Sequence, residues 1–179
     1  LLGIEHPIFQ AAMSWASSNA PLVIAVSNAG GLGVIAAGPM RPQDFRQALA
    51  DIRAGTDRPY GVNIPLTSPR APELLDIAFE ARIPVMVASQ GGPREHLARF
   101  RAIGTKWLHV VASVEHAKKA EAAGVDALVV DGMEAGGHPP PSEVTTLVLV
   151  RRVLKEVKIP VVASGGVADG AGIAALLAL

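Results

Sequence analysis

Short apolar runs bounded by glycine or proline alternate along the chain with longer stretches in which apolar residues recur at helical spacing. The runs predict strands at Pro7–Met13, Leu32–Ala37, Tyr60–Leu66, Val85–Ser89, Trp107–Ala112, Ala127–Asp131 and Pro160–Ser164. The amphipathic stretches between them predict helices at Asn19–Asn28, Pro42–Arg53, Ala71–Arg82, Arg94–Ile103, Val114–Ala123 and Thr145–Lys158, with a last helix opening near Ala171. Local chemistry marks several boundaries. Ser113 is placed to cap the helix that follows it, and Gly124 stands where a C-cap needs a residue tolerant of positive φ.

Strand and helix alternating without a long insertion or reversal is the signature of βα units around a parallel sheet. Seven such units in succession favour a (β/α)8 TIM barrel over an open doubly wound sheet, because an eighth unit would close the ring. The apolar run Ile173–Leu179 carries no cap, and the chain does not begin with Met. We therefore expect one TIM-barrel domain over residues 1–179, C-terminally incomplete and lacking its eighth unit. Unpaired strand edges and an uncovered apolar tail predict self-association into a homo-oligomer.

Composition narrows the field. The 179 residues are 50% hydrophobic but only 4% aromatic, which suits aliphatic strands under small-faced helices and excludes disorder. Sixteen basic and sixteen acidic residues cancel, so no global field would gather nucleic acid or an anionic membrane. The absence of cysteine excludes a disulfide framework, a thiolate nucleophile and a cysteine-ligated zinc or iron–sulfur site. With no leader-like start and no apolar run of spanning length, the expected protein is soluble and cytoplasmic, acting on a small molecule and not on membranes or nucleic acid.

In a barrel of this kind the working surface is the set of loops after the strand C-termini. After the first strand, Ala11–Trp15 offers small residues that let another molecule approach the backbone; alternatively the strand end packs under Trp15. Asn63, inside an apolar strand, must find partners on neighbouring strands or on the heteroatoms of a ligand. After the sixth strand, Asp131–Pro141 holds two glycines, then His138, then three prolines. A histidine there can exchange a proton near neutral pH. After the seventh strand, Ser164, Gly165 and Gly166 precede a helix, an arrangement whose backbone N–H groups suit an anion. The same segment can also be a tight turn with Asp169 as N-cap.

Other signals are set aside. Gly31-x-Gly33-x-x-Ala36 precedes a strand and so lacks the dinucleotide-binding context; it reads as a helix stop. His109 and His116 do not form a metal-ligand face, and His6, His96 and His116 are expected to be solvated.

Five separated segments, taken together, resemble the nitronate monooxygenase (2-nitropropane dioxygenase) family: His6–Met13, Ala25–Gly33, Asp57–Asn63, Glu134–His138 and Val161–Gly170. FMN-dependent enoyl-acyl-carrier-protein reductases and some NADH:quinone reductases are similar to it. The resemblance implies an FMN-binding TIM barrel. It places Ala12, Met13 and Ser14 along the flavin, Asn63 on its ring system, Gly136, Ser164, Gly165 and Gly166 at ring and phosphate, and His138 as the catalytic histidine. No metal is implied. The activity implied first is oxidation of alkyl nitronates by O2 to a carbonyl compound and nitrite. NAD(P)H-dependent reduction of an enoyl thioester or a quinone is the alternative, and a non-catalytic flavin- or phosphate-binding barrel is a third reading. The family's glycine-threonine phosphate turn after strand eight has no counterpart up to Leu179.

Overall fold

The computed structural model describes residues 1–137 and 143–179. By internal packing the chain divides into two compact units, Leu1–Trp107 and Leu108–Leu179.

The first unit contains β1 (Phe9–Gln10), α1 (Ala20–Asn28), β2 (Leu32–Ala36), α2 (Pro42–Gly55), β3 (Tyr60–Pro65), α3 (Ala71–Glu80), β4 (Val85–Ser89), α4 (Arg94–Ala102) and the start of β5 (Lys106–Val111). Strands β1 to β4 pair in chain order, all parallel, with Gly33 opposite Tyr60 and Gly61 opposite Val85. Every residue of β2 is buried, as expected of a parallel strand covered on both faces. The core holds Val23, Ile35, Phe45, Ile52, Val62 and Leu74. At Gly33 an added Cβ would run into the backbone of Val23. This glycine therefore lets α1 lie directly on β2, and α1 itself stops at Asn28, just ahead of Gly31, whose N–H donates back to Val26 O at 3.2 Å.

The first strand is much shorter than Pro7–Met13. Gln10 folds its side-chain amide onto β2, donating to Val34 O at 3.2 Å and accepting from Val34 N at 3.3 Å. A side chain thus takes the ladder position that the next backbone residue would fill, and pairing ends there. His96 also departs from expectation. It stacks on Trp107 with ring centroids 5.9 Å apart, and Phe100 meets the same indole edge-on at 5.3 Å.

The second unit contains the remainder of β5, then α5 (Val114–Ala123), β6 (Ala127–Asp131), α6 (Thr146–Val153), β7 (Val161–Ser164) and α7 (Gly170–Leu177). Its strands again pair in chain order and in parallel, with Val110 opposite Val129 and Asp131 opposite Ser164. Ser113 accepts from His116 N at 3.1 Å, and Gly124 closes α5 at φ +95°. Helix α6 stops at Val153, short of the expected Lys158. Beyond it Glu121 accepts from the N–H groups of Lys158 at 2.6 Å and Ile159 at 3.2 Å. That carboxylate draws the chain out of the helix and into its approach to β7.

Seven βα units with parallel pairing in chain order are the repeat of the (β/α)8 barrel. No helix among the described residues is long and apolar enough to cross a membrane.

Candidate active site

In the first unit the loop after β1 is built around Ser17, which is fully buried. Its Oγ accepts from Met13 N at 2.6 Å and donates to Met13 O at 3.0 Å, while its own N–H donates to Met13 O at 2.7 Å. The Ser17 carbonyl in turn accepts from Ala36 N at 2.9 Å. The loop is thus tied to itself and to β2. Ala12 is half-buried, and Met13 and Ser14 are exposed. Trp15 is 88% exposed at φ +69°, so it does not pack over the strand end.

Asn63 draws its partners from the adjacent strand. Its amide donates to Val87 O at 2.8 Å and to Ser89 Oγ at 3.3 Å. Its backbone carbonyl accepts from Ala37 N at 3.0 Å, whereas among the described residues nothing donates to its side-chain Oδ1, which keeps its capacity to accept.

In the second unit, β6 and β7 end side by side. Gly132 N donates to Ser164 O at 3.1 Å. Asp131 is half-buried at the end of β6; burial pushes its carboxyl above the usual range, and the Ser164 hydroxyl pulls the other way. Glu134 lies one turn on. Its Oε2 accepts from Thr146 N at 2.8 Å and from Thr146 Oγ1 at 2.9 Å. These donors, the backbone N–H first, hold the Glu134 carboxyl below the usual range.

Ser164 is half-buried, and Gly165 and Gly166 follow at φ +112° and +72°. Glycine adopts positive φ at two successive positions without the strain a side chain would bring. Among the described residues no acceptor takes the N–H of Gly165 or Gly166. Asp169 caps α7, accepting from Gly172 N at 2.8 Å. The Asp169 cap and the glycine turn therefore coexist. Gly136 is exposed, and a Cβ added there would meet no described residue within 4 Å. His138 lies outside the described residues. Among the described residues no group of three or more histidine, aspartate or glutamate side chains is placed to hold a metal ion.

The structure thus brings Ser164, Gly165 and Gly166 together beside Asp131, Glu134 and Thr146, the last three missed as site residues in the sequence. Asp131 carried a weak signal as the only acidic residue closing an apolar strand. Thr146 carried none, because its role depends on a residue twelve positions earlier.

Parallel βα repeats pairing in chain order, with a turn of two positive-φ glycines after β7, are the repeat of the (β/α)8 class. Comparison with known proteins makes the class specific. The nitronate monooxygenase family profile matches residues 1–179, and the chain belongs to that family of oxidoreductases. A (3aS,4S,5R,7aS)-5-hydroxy-7a-methyl-1-oxo-octahydro-1H-indene-4-carboxyl-CoA dehydrogenase from Rhodococcus jostii is 38% identical, over 99% of this chain and 50% of its own length. A nitronate monooxygenase from Pseudomonas aeruginosa is 35% identical, over 100% of this chain and 64% of its own. Among solved structures, FabK from Thermotoga maritima superposes with a TM-score of 0.93 at 47% identity, covering 99% of this chain and 56% of that one. The chain spans about half to two thirds of these relatives.

Proposed function

We propose that this barrel binds FMN and serves the oxidation of alkyl nitronates by O2 to a carbonyl compound and nitrite. The observation that carries the reading is the Ser164–Gly166 turn, with two left-handed glycines whose N–H groups no described residue claims. Such a turn fits a phosphate monoester. When bound, FMN would supply the electron transfer between nitronate and O2.

The chain's own residues have separate tasks. Ser164, Gly165 and Gly166 would bind the phosphate, with Gly136 keeping the neighbouring loop open. Ala12, Met13 and Ser14, held by Ser17, would flank the ring system, and Asn63 Oδ1 would accept from a ring N–H. His138 would bind the nitronate anion or hold its proton, since an imidazole can carry either charge near neutral pH. All of this rests on family membership together with the local geometry of each unit.

A second reading has support of its own: the Rhodococcus jostii relative is named for a carboxyl-CoA substrate. On that reading an acyl thioester replaces the nitronate, and a nicotinamide replaces O2 as the flavin's partner.

The test uses the full-length protein. Anaerobic mixing with a nitronate bleaches the flavin absorbance if the first reading is right; bleaching by NADH or NADPH alone moves the assignment to the second. With nitronate, His138→Ala abolishes O2 consumption while FMN stays bound. Unchanged turnover would remove His138 from the mechanism, and absence of flavin would overturn both readings.

A further inference from the structure

Thr146 opens α6 and is 4% exposed. The preceding residue, Thr145, makes no side-chain cap. The missing cap comes from the other side of the loop, where Glu134 takes both the N–H and the hydroxyl of Thr146 at 2.8 and 2.9 Å. A carboxylate at a helix N-terminus is favoured by the helix dipole and by the unpaired N–H groups there.

The Thr146 hydroxyl also lies 3.3 Å from Ser164 O. It has one proton, and the shorter contact to the charged oxygen holds it. What joins Thr146 to the turn after β7 is therefore chiefly fit. A Cβ built on Gly165 would come 2.7 Å from Thr146 Oγ1 and 2.9 Å from Ala135 N. One built on Gly132 would overlap Thr146 itself. The hydroxyl is wedged between the glycine that leaves β6 and the glycine that leaves β7. Glu134 leans on the same turn, since a Cβ on Gly166 would stand 3.2 Å from Glu134 Cβ.

This places a negative charge beside a turn suited to an anion. If the Glu134 carboxylate were not held by the two donors of Thr146, it would compete for the Gly165 and Gly166 N–H groups or repel a phosphate there. We propose that Thr146 is a positioning residue for phosphate binding: it wedges the Ser164–Gly166 turn and keeps the Glu134 charge on α6. The proposal rests on the flavin reading above and assigns Thr146 no contact with the cofactor.

The experiment compares FMN with riboflavin, which has the same ring system and no phosphate. Deflavinated full-length protein is titrated with each by quenching of flavin fluorescence, for the wild type, Thr146→Val and Thr146→Ser. Thr146→Val should weaken FMN about tenfold and riboflavin less than about twofold, the difference that loss of a charge-holding contact would produce. Thr146→Ser, which keeps the hydroxyl, should restore FMN binding. Equal weakening of both flavins, or no weakening of FMN, overturns the proposal. Should the valine variant fail to fold, Thr146→Ala is read by the same comparison. Wild-type protein that binds neither flavin would sink the flavin reading and this proposal together. Wild-type protein that binds riboflavin as tightly as FMN would overturn only the phosphate role of the turn, and with it the role of Thr146.

Discussion

Ser17 grips the Met13 peptide from both sides, accepting from its N–H at 2.6 Å and donating to its carbonyl at 3.0 Å. Between them Trp15 is driven into the left-handed region at φ +69° with its indole in solvent. A bulky residue in that region is strained, and it persists only where the surroundings over-determine the backbone. Ser17→Ala removes both side-chain bonds from a fully buried position. It should cost about 1 to 3 kcal/mol, read as a lower denaturant midpoint with unchanged slope. Trp15→Gly relieves the strain and should raise stability by about 1 kcal/mol. A fall instead would mean that the indole makes a stabilising contact in the full-length protein.

Gly132 and Gly136 sit four residues apart in one loop, yet they should respond oppositely to the same change. A methyl on Gly132 runs into the backbone and side chain of Thr146, whereas one on Gly136 meets no described residue within 4 Å. Gly132→Ala should destabilise by about 3 kcal/mol, and Gly136→Ala should stay within about 0.5 kcal/mol of the wild type. Thermal melts of the two variants decide it. Similar melting temperatures would mean that α6 shifts freely to make room.

Asp131 and Glu134 predict opposite contributions to the pH dependence of stability. The folded Glu134 carboxyl titrates below its unfolded value, so its contribution is present above the ordinary glutamate range and is lost as pH falls through the depressed folded value. Asp131 titrates above its unfolded value because of burial. The folded state then binds the extra proton, and stability falls as pH rises from the ordinary aspartate range through the raised folded value. Denaturant titrations over roughly pH 3 to 7 should show Asp131→Asn abolishing the decline with rising pH, and Glu134→Gln abolishing part of the loss toward acid. Curves parallel to the wild type would show that neither carboxyl titrates differently on folding.

Asn63 supplies a contrast to Thr146. Its side-chain amide is anchored on β4 at Val87 and Ser89, and the proposed function gives its Oδ1 the flavin ring and not the phosphate. Asn63→Ala should therefore weaken FMN and riboflavin alike, by about tenfold for a lost buried hydrogen bond. Weakening of FMN alone would move Asn63 to the phosphate.

Much of the architecture was legible in the chain. The strands Val85–Ser89 and Ala127–Asp131 and the helix Val114–Ala123 lie where the apolar pattern and the Ser113 and Gly124 signals put them, because a parallel strand buried on both faces is a continuous apolar run with abrupt ends. The two largest shifts of an edge fall where a distant side chain intervenes. Gln10 replaces backbone pairing at Val34 and shortens β1, and Glu121 captures the N–H groups of Lys158 and Ile159 beyond α6. His96, expected in solvent, is covered because Trp107 offers it a flat face.

The candidate site divides in the same way. Ser164, Gly165 and Gly166 stood out because consecutive glycines before a helix are a local feature, and the missing Cβ opens positive φ to them. The family, too, could be recognised from short runs of residues. The partnership of Glu134 with Thr146, the wedge of Thr146 against Gly165 and the hold of Ser17 on Met13 could not. Each depends on where one backbone segment lies against another. Sequence by itself determined the repeat, the order of the elements and the turn chemistry, because these follow from local periodicity and backbone freedom. Only the tertiary structure decided which side chains hold the loops, because a hydrogen bond across twelve residues, or a Cβ-free contact between two strand ends, exists only once packing has brought the partners together.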